Sequence, residues 1–289
     1  MTGGPRGLAL AALLTAATAA PASAAATSPG VPELQPVAAV AAPTHPWTRR
    51  VRSAAAFARG RAGRVSFAVI DERRHMHGVG MDSGYRSASV VKAMLMVAYL
   101  RRREVRHRRL GAFSHGLLGP MITHSDNIAA SRVRNIVGNP GLAALARRAG
   151  MRHFATAHSW GDSWIDAADQ VRFFIQIDKL VPPRHRTYAM KLLASVVAWH
   201  RWGIPHARPH GWEVYFKGGW RRLAGRKLVN QVALLTNGDR RIAVAILTDG
   251  NRTYHYGMET VRGVATRLLS GLEDSEPPRP RFRPLRSLG

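Results

Sequence analysis

Residues able to do covalent chemistry stand out in one stretch, Tyr85-Arg86-Ser87-Ala88-Ser89-Val90-Val91-Lys92-Ala93-Met94-Leu95-Met96. A serine and a lysine three residues apart lead straight into an apolar run with no Gly or Pro to stop a helix. Ser87 and Ser89 are residue types that favour helix starts. With a helix beginning near Ser89, three residues make about one turn and put the hydroxyl of Ser89 and the amine of Lys92 on one face. A serine is a weak nucleophile until a base takes its proton, and a desolvated lysine can be that base. Arginine is too basic for this role, and lysine is scarce: only five of the 43 Lys+Arg residues are lysines.

Two further motifs strengthen the first. Ser125-Asp126-Asn127 lies between two helical segments, and Lys217-Gly218-Gly219 is read as the end of a strand. In this order the three motifs resemble the class A β-lactamase and penicillin-binding-protein superfamily of serine hydrolases. The resemblance spans about residues 47–272; the stretch from Asp166 and the strand from Gln231 fit it too. It implies that Ser89 attacks an amide or ester carbonyl to form an acyl-enzyme while Lys92 takes its proton. Ser125 would relay a proton to the leaving nitrogen, and Asn127 would bind the substrate amide while Asp126 holds the loop. Lys217 would lie near Ser125, favour anionic substrate groups and keep Lys92 near neutral by repulsion. The backbone N–H groups of Ser89 and Trp220 would form an oxyanion hole, beside an edge that Gly218 and Gly219 leave open to substrate.

Three departures bear on turnover. The family's loop carrying a water-activating glutamate corresponds here to residues 151–165, which hold no glutamate. His158, Asp162 and Asp166 are the substitutes to consider, with Asp166 also a natural helix cap. Gly218 stands where the family has Thr or Ser, and the short segment between Lys92 and Ser125 removes one wall of the cleft. The implied protein is a serine hydrolase acting on β-lactam or peptidoglycan-related substrates. A penicillin-reactive protein, or a non-catalytic cell-wall binder of the same fold, is the alternative.

These residues need a scaffold. Helical spacing over residues 47–62 is followed by strand patterns at 64–71 and 75–80, then by helix after helix from Ser89 to about Val197. Strand patterns return at 212–217, 228–236 and 241–248, and a last helix covers about 255–272. The order predicts an α+β fold: one antiparallel sheet of about five strands, terminal helices on one face, and an inserted helical lobe. The domain boundaries expected are a sheet lobe from 47–83 and 212–272 and a helical lobe from 84–211, with the site in the cleft between them.

Outside that domain, residues 1–24 read as a secretory signal: Arg6, an Ala-rich apolar run, then Ala22-Ser23-Ala24. Residues 25–46 read as a flexible linker and 273–289 as a disordered basic tail. The protein is therefore expected to be secreted, with no transmembrane segment. The formal net charge of +26 is spread over many segments, which argues against nucleic acid and for non-specific attraction to anionic cell-wall polymers. No cysteine is present, so disulfides and thiolate zinc sites are excluded. The thirteen histidines form no His-Glu-x-x-His pattern, and His206 and His210 lie in a Pro-rich loop; neither a metal nor a cofactor is expected. Trp199, Trp202, Trp212 and Trp220 cluster near the third motif, where they either line a cleft or pack between lobes.

Overall fold

The computed structural model describes residues 46–272. The expected signal segment, the basic tail and all of the expected linker but Pro46 lie outside the described residues. Helix α1 (Pro46–Arg59) leads into strands β1 (Arg64–Ile70) and β2 (Met76–Val79). A helical region follows, and strands β5 (Glu213–Leu223), β6 (Arg226–Asn237) and β7 (Arg240–Asn251) precede the last helix, α8 (Tyr254–Leu269). The five strands form one antiparallel sheet in the order β2-β1-β7-β6-β5.

Period-two alternation sorts the sheet's side chains between two cores. Phe67, Val69, Val229, Ala233, Ile242, Val244 and Ile246 pack with α1 and α8, and Ala68, Ile70, Val232, Leu234, Ala243, Ala245 and Leu247 pack with the inserted helices. Both faces of the central strands are covered, which is why β6 and β7 read as nearly continuous apolar runs. At the centre of the helical region is α2 (Val91–Leu100), every residue of which is buried. A helix apolar all round belongs inside a core.

Several boundaries differ from those expected. The helix predicted from Ser89 is a short 3-10 turn, Ala88–Val90, continuing as α2 and stopping at Leu100. Helix α3 (Ala112–Thr123) starts earlier than the helical pattern over residues 117–123 predicts. The sequence predicts two helices next, over residues 127–137 and 141–149; helix α4 (Asn127–Arg148) keeps the interruption as a kink at Gly138, where φ is 69°, just before Pro140. A two-stranded sheet, β3 (Tyr85–Arg86) with β4 (Trp164–Ile165), was not anticipated: each strand is too short to show a period. Helices α5 (Ala167–Phe174), α6 (Ile177–Leu180) and α7 (Arg186–Ala194) complete the insertion. The largest difference is in β5. Lys217-Gly218-Gly219 does not end this strand but sits in its middle, because pairing with β6 continues from Glu213↔Thr236 to Leu223↔Arg226.

Candidate active site

The turn carrying Ser89 is pinned from two sides. The N–H of Ser87 donates to Ser163 O at 2.9 Å, and the amide of buried Asn230 in β6 donates to Arg86 O at 2.9 Å. Ser87 does not cap the helix as expected; its hydroxyl turns to Ala88 O and Trp160 O. Ala88 has a φ of 45°, a strained conformation for a residue with a side chain, held by these flanking contacts. The Ser89 hydroxyl has no hydrogen-bond partner among the described residues.

Ser125 is positioned by the end of α3. The carbonyl of Pro120 accepts from His124 N and from Asp126 N, both at 3.1 Å, and Ser125 between them has a φ of 58°. This left-handed helix-end position usually takes glycine, so the hydroxyl stands there at a cost in backbone strain. Asp126 then caps α4, its carboxylate accepting from Ala129 N at 2.6 Å.

Two lysines converge on Ser125. Lys92 Nζ lies 2.5 Å from Ser125 O, 3.2 Å from Ser125 Oγ and 2.8 Å from Asn127 Oδ1, with the Trp160 ring centroid 4.8 Å away. Lys217 Nζ donates to Ser125 Oγ at 3.0 Å and to Gly218 O at 3.0 Å. Both side chains are buried, Lys92 at 0% and Lys217 at 1% exposure. Burial brings the Lys92 amine down to about 7, against a smaller opposing pull from Asp126. Burial first, and then the charge of Lys92, pushes Lys217 well below the ordinary lysine range. Desolvation therefore does most of what repulsion was expected to do.

A cavity of about 350 Å³ brings Ser89, Ser125, Asn127, Trp160 and Trp220 together with His124, His200 and Arg221. No carboxylate is among its lining residues. Asp162 points instead to Arg221, Oδ1 to guanidinium 2.7 Å. Asp166 caps α5 through Asp169 N and accepts from His153 Nδ1 at 2.6 Å. His158 does not line the cavity either. Ligand-type atoms of Asp82, His153 and Asp166 lie within 4.8 Å of one another. The hydrogen bond that His153 makes to Asp166, and the charge of Asp166, raise the His153 pKa, and the pair holds the start of α5.

The two cavity histidines carried no sequence signal. His124 merely precedes the Ser125 motif. His200 arrives on a short 3-10 turn, Ala198–His200, and packs edge-on against Trp220 with ring centroids 4.7 Å apart. Burial, then Lys217, His124 and Lys92, lower its pKa to about 4, so it is a neutral imidazole at neutral pH. The tryptophans divide: Trp202 and Trp212 are core residues, Trp220 lines the cavity and Trp199 is 71% exposed.

Comparison with known proteins supplies the frame for this geometry. Residues 115–272, more than half the chain, match the β-lactamase enzyme family. The chain belongs to that family. Among solved structures it is similar to a β-lactamase from Sphaerobacter thermophilus (TM-score 0.67, 20% identity, covering 80% of this chain and 99% of that one). It is also similar to a class A representative from Bacteroides cellulosilyticus (TM-score 0.69, 12% identity, 80% and 99%) and to PBP-A (TM-score 0.65, 15% identity, 79% and 97%). At these identities the likeness establishes the fold alone. No curated protein matches.

Within this β-lactamase fold, the glycine at 218 has a local cause. A Cβ there would lie 2.9 Å from Cζ2 of Trp202, a buried side chain packed in the core. Gly218→Thr, which would restore the family's hydroxyl, is expected to destabilise the protein by ~1–3 kcal/mol through overpacking. Thermal unfolding should show a lowered Tm; an unchanged Tm would mean that Trp202 yields.

Proposed function

We propose that this member of the β-lactamase family is an exported serine hydrolase that forms an acyl-enzyme at Ser89 with β-lactam or peptidoglycan-related substrates. The observation that carries this reading is the Ser125 hydroxyl held between two buried lysine amines, on the wall of the cavity that Ser89 also lines. Burial supports a neutral Lys92, since it brings the amine down to about 7. An uncharged amine donates two protons, here to Ser125 O and Asn127 Oδ1, and keeps a lone pair. That lone pair takes the Ser89 proton as Ser89 Oγ bonds to the substrate carbonyl carbon. The carbonyl oxygen gains the negative charge, held by the backbone N–H groups of Ser89 and Trp220. As the carbon–nitrogen bond breaks, the proton reaches the leaving nitrogen through Ser125. In an unliganded site such contacts are often loose, so the unpartnered Ser89 hydroxyl is compatible with this role.

Release of the acyl group requires a water with its proton taken. Because no carboxylate lines the cavity, release is slow and the protein is penicillin-reactive rather than an efficient β-lactamase. Among the described residues no helix is long and apolar enough to cross a membrane; export rests on the N-terminal sequence.

Intact mass after incubation with a fluorescent penicillin tests the proposal. The wild type should carry a stable adduct that Ser89→Ala lacks. An adduct persisting in Ser89→Ala removes Ser89 as nucleophile, no adduct on the wild type removes the acyl-enzyme, and rapid nitrocefin turnover removes slow release.

A further inference from the structure

A larger and more strongly charged concavity lies elsewhere. Residues 101–109 hold six arginines and a histidine against one glutamate, a local concentration within an otherwise scattered charge. The fold brings part of this run against the last turn of α4. Arg101, Arg102, Arg106, Arg147 and Arg148 line one cavity of about 700 Å³ that has no acidic residue in its lining. A second cavity, of about 430 Å³, shares Arg101 and Arg106 and adds His107 and Arg184, so the cationic surface continues as a track.

Few of these charges are used internally. Arg101 donates to Leu180 O at 2.6 Å, and Arg102 meets the exposed Glu104 at 3.3 Å. The side chains of Arg106, Arg147 and Arg148 have no hydrogen-bond or ion-pair partner among the described residues. They are also close enough to oppose one another: after burial, the charges of Arg148 and Arg106 are what lower the Arg101 pKa. A helix C-terminus accounts for Arg147 and Arg148 on α4, but not for their convergence with three arginines from the segment after α2.

We propose that this arginine-lined track is a binding site for a linear polyanion carrying closely spaced phosphates. Planar guanidinium groups suit bidentate phosphate recognition. An elongated track suits a chain rather than a single ion. No Phe, Tyr or Trp lines either cavity, so the large stacking platforms of single-strand binders are missing, which favours a phosphate chain without bases over single-stranded nucleic acid. The placement is informative. Helices α2 and α4 both start beside the candidate active site, at Val91 and Asn127, and both end at the track. Ten residues of α2 separate the two sites by about 15 Å. The track is therefore a second site, independent of any chemistry at Ser89, that would hold the protein on a phosphate polymer.

The test is binding of the full chain to fluorescently labelled inorganic polyphosphate, followed by anisotropy over a range of salt concentrations. The variant Arg106→Ala/Arg147→Ala/Arg148→Ala is compared with Arg49→Ala/Arg52→Ala/Arg59→Ala, which removes the same charge from exposed positions on α1. The track variant should bind roughly tenfold or more weakly and lose about 2 from the slope of log K against log salt, while the α1 variant stays near wild type. Equal losses in both variants, or no wild-type binding at about 0.15 M salt, overturn the proposal. Tighter binding of a charge-matched single-stranded DNA overturns its base-free character. Arg106→Gln alone, an exposed position with no internal partner, guards against misfolding and should weaken binding with Tm unchanged.

Discussion

Lys92→Met slows acylation of the protein by a β-lactam about 10³-fold and makes the fold more stable. The first effect follows from the general base, whose removal typically costs 10²–10⁴ in rate. The second follows from burial. The amine is held near 7 against an ordinary 10.5, and at 1.36 kcal/mol per unit the charged form is disfavoured by roughly 5 kcal/mol. Methionine fills a similar volume with no charge to desolvate. Some of that gain is lost because Ser125 O and Asn127 Oδ1 lose a donor, but both residues reach the cavity, where water can replace it. A net gain of about 2 kcal/mol would raise Tm by ~4–8 °C in a domain of this size.

The pH dependence separates this account from a packing effect. Because the folded pKa is lowered, the unfolded chain binds more protons between about 7 and 10.5, and wild-type stability rises with pH across that window. Below 7 the penalty is fully present. The Tm advantage of Lys92→Met is therefore largest at pH 6 and shrinks towards pH 10. The wild-type acylation rate should rise as pH climbs through about 7, as the amine loses its proton. Wild-type acylation in Lys92→Met would pass the role of base to Lys217, and a Tm advantage independent of pH would show that the amine is not desolvated.

Much of the scaffold was legible because its signals are periodic. Alternation marked β1, near-continuous apolar runs marked β6 and β7, and the Gly138–Pro140 break marked the kink in α4. The Ser89 and Ser125 motifs were legible because each pairs a reactive side chain with a helix start. What could not be read depends on contacts remote in sequence. Gly218 and Gly219 look like a strand end, since glycine weakens a strand, yet β6 carries the pairing through them. Nothing local to His200 foretells its place beside Trp220. The desolvation of Lys92 and Lys217, likewise, is a property of the assembled core and not of either motif.

Gly219→Ala tests how closely β5 must approach the nucleophile. This strand is at the edge of the sheet, and the face on which a Gly219 side chain would stand meets the turn carrying Ser89. A Cβ at 219 would stand 2.7 Å from Ser89 N, 2.9 Å from Val90 N and 3.1 Å from Ser87 O, all backbone atoms. No rotamer change relieves such a clash; the strand or the turn must shift by several tenths of an ångström. The turn is held by Asn230 and Ser163, so the shift opens the gap between the backbone groups of Ser89 and Trp220. A misplacement of this kind costs catalysis out of proportion to its size, about 10² for an ångström, and overpacking costs ~1–3 kcal/mol. Acylation by penicillin should fall at least tenfold with a lowered Tm. Gly116→Ala, with nothing within 4 Å on helix α3, is the control: it should leave acylation unchanged and stabilise the helix slightly. Undiminished acylation in Gly219→Ala would show that the β5 edge has no part in holding the reacting carbonyl, and would move the oxyanion donors elsewhere.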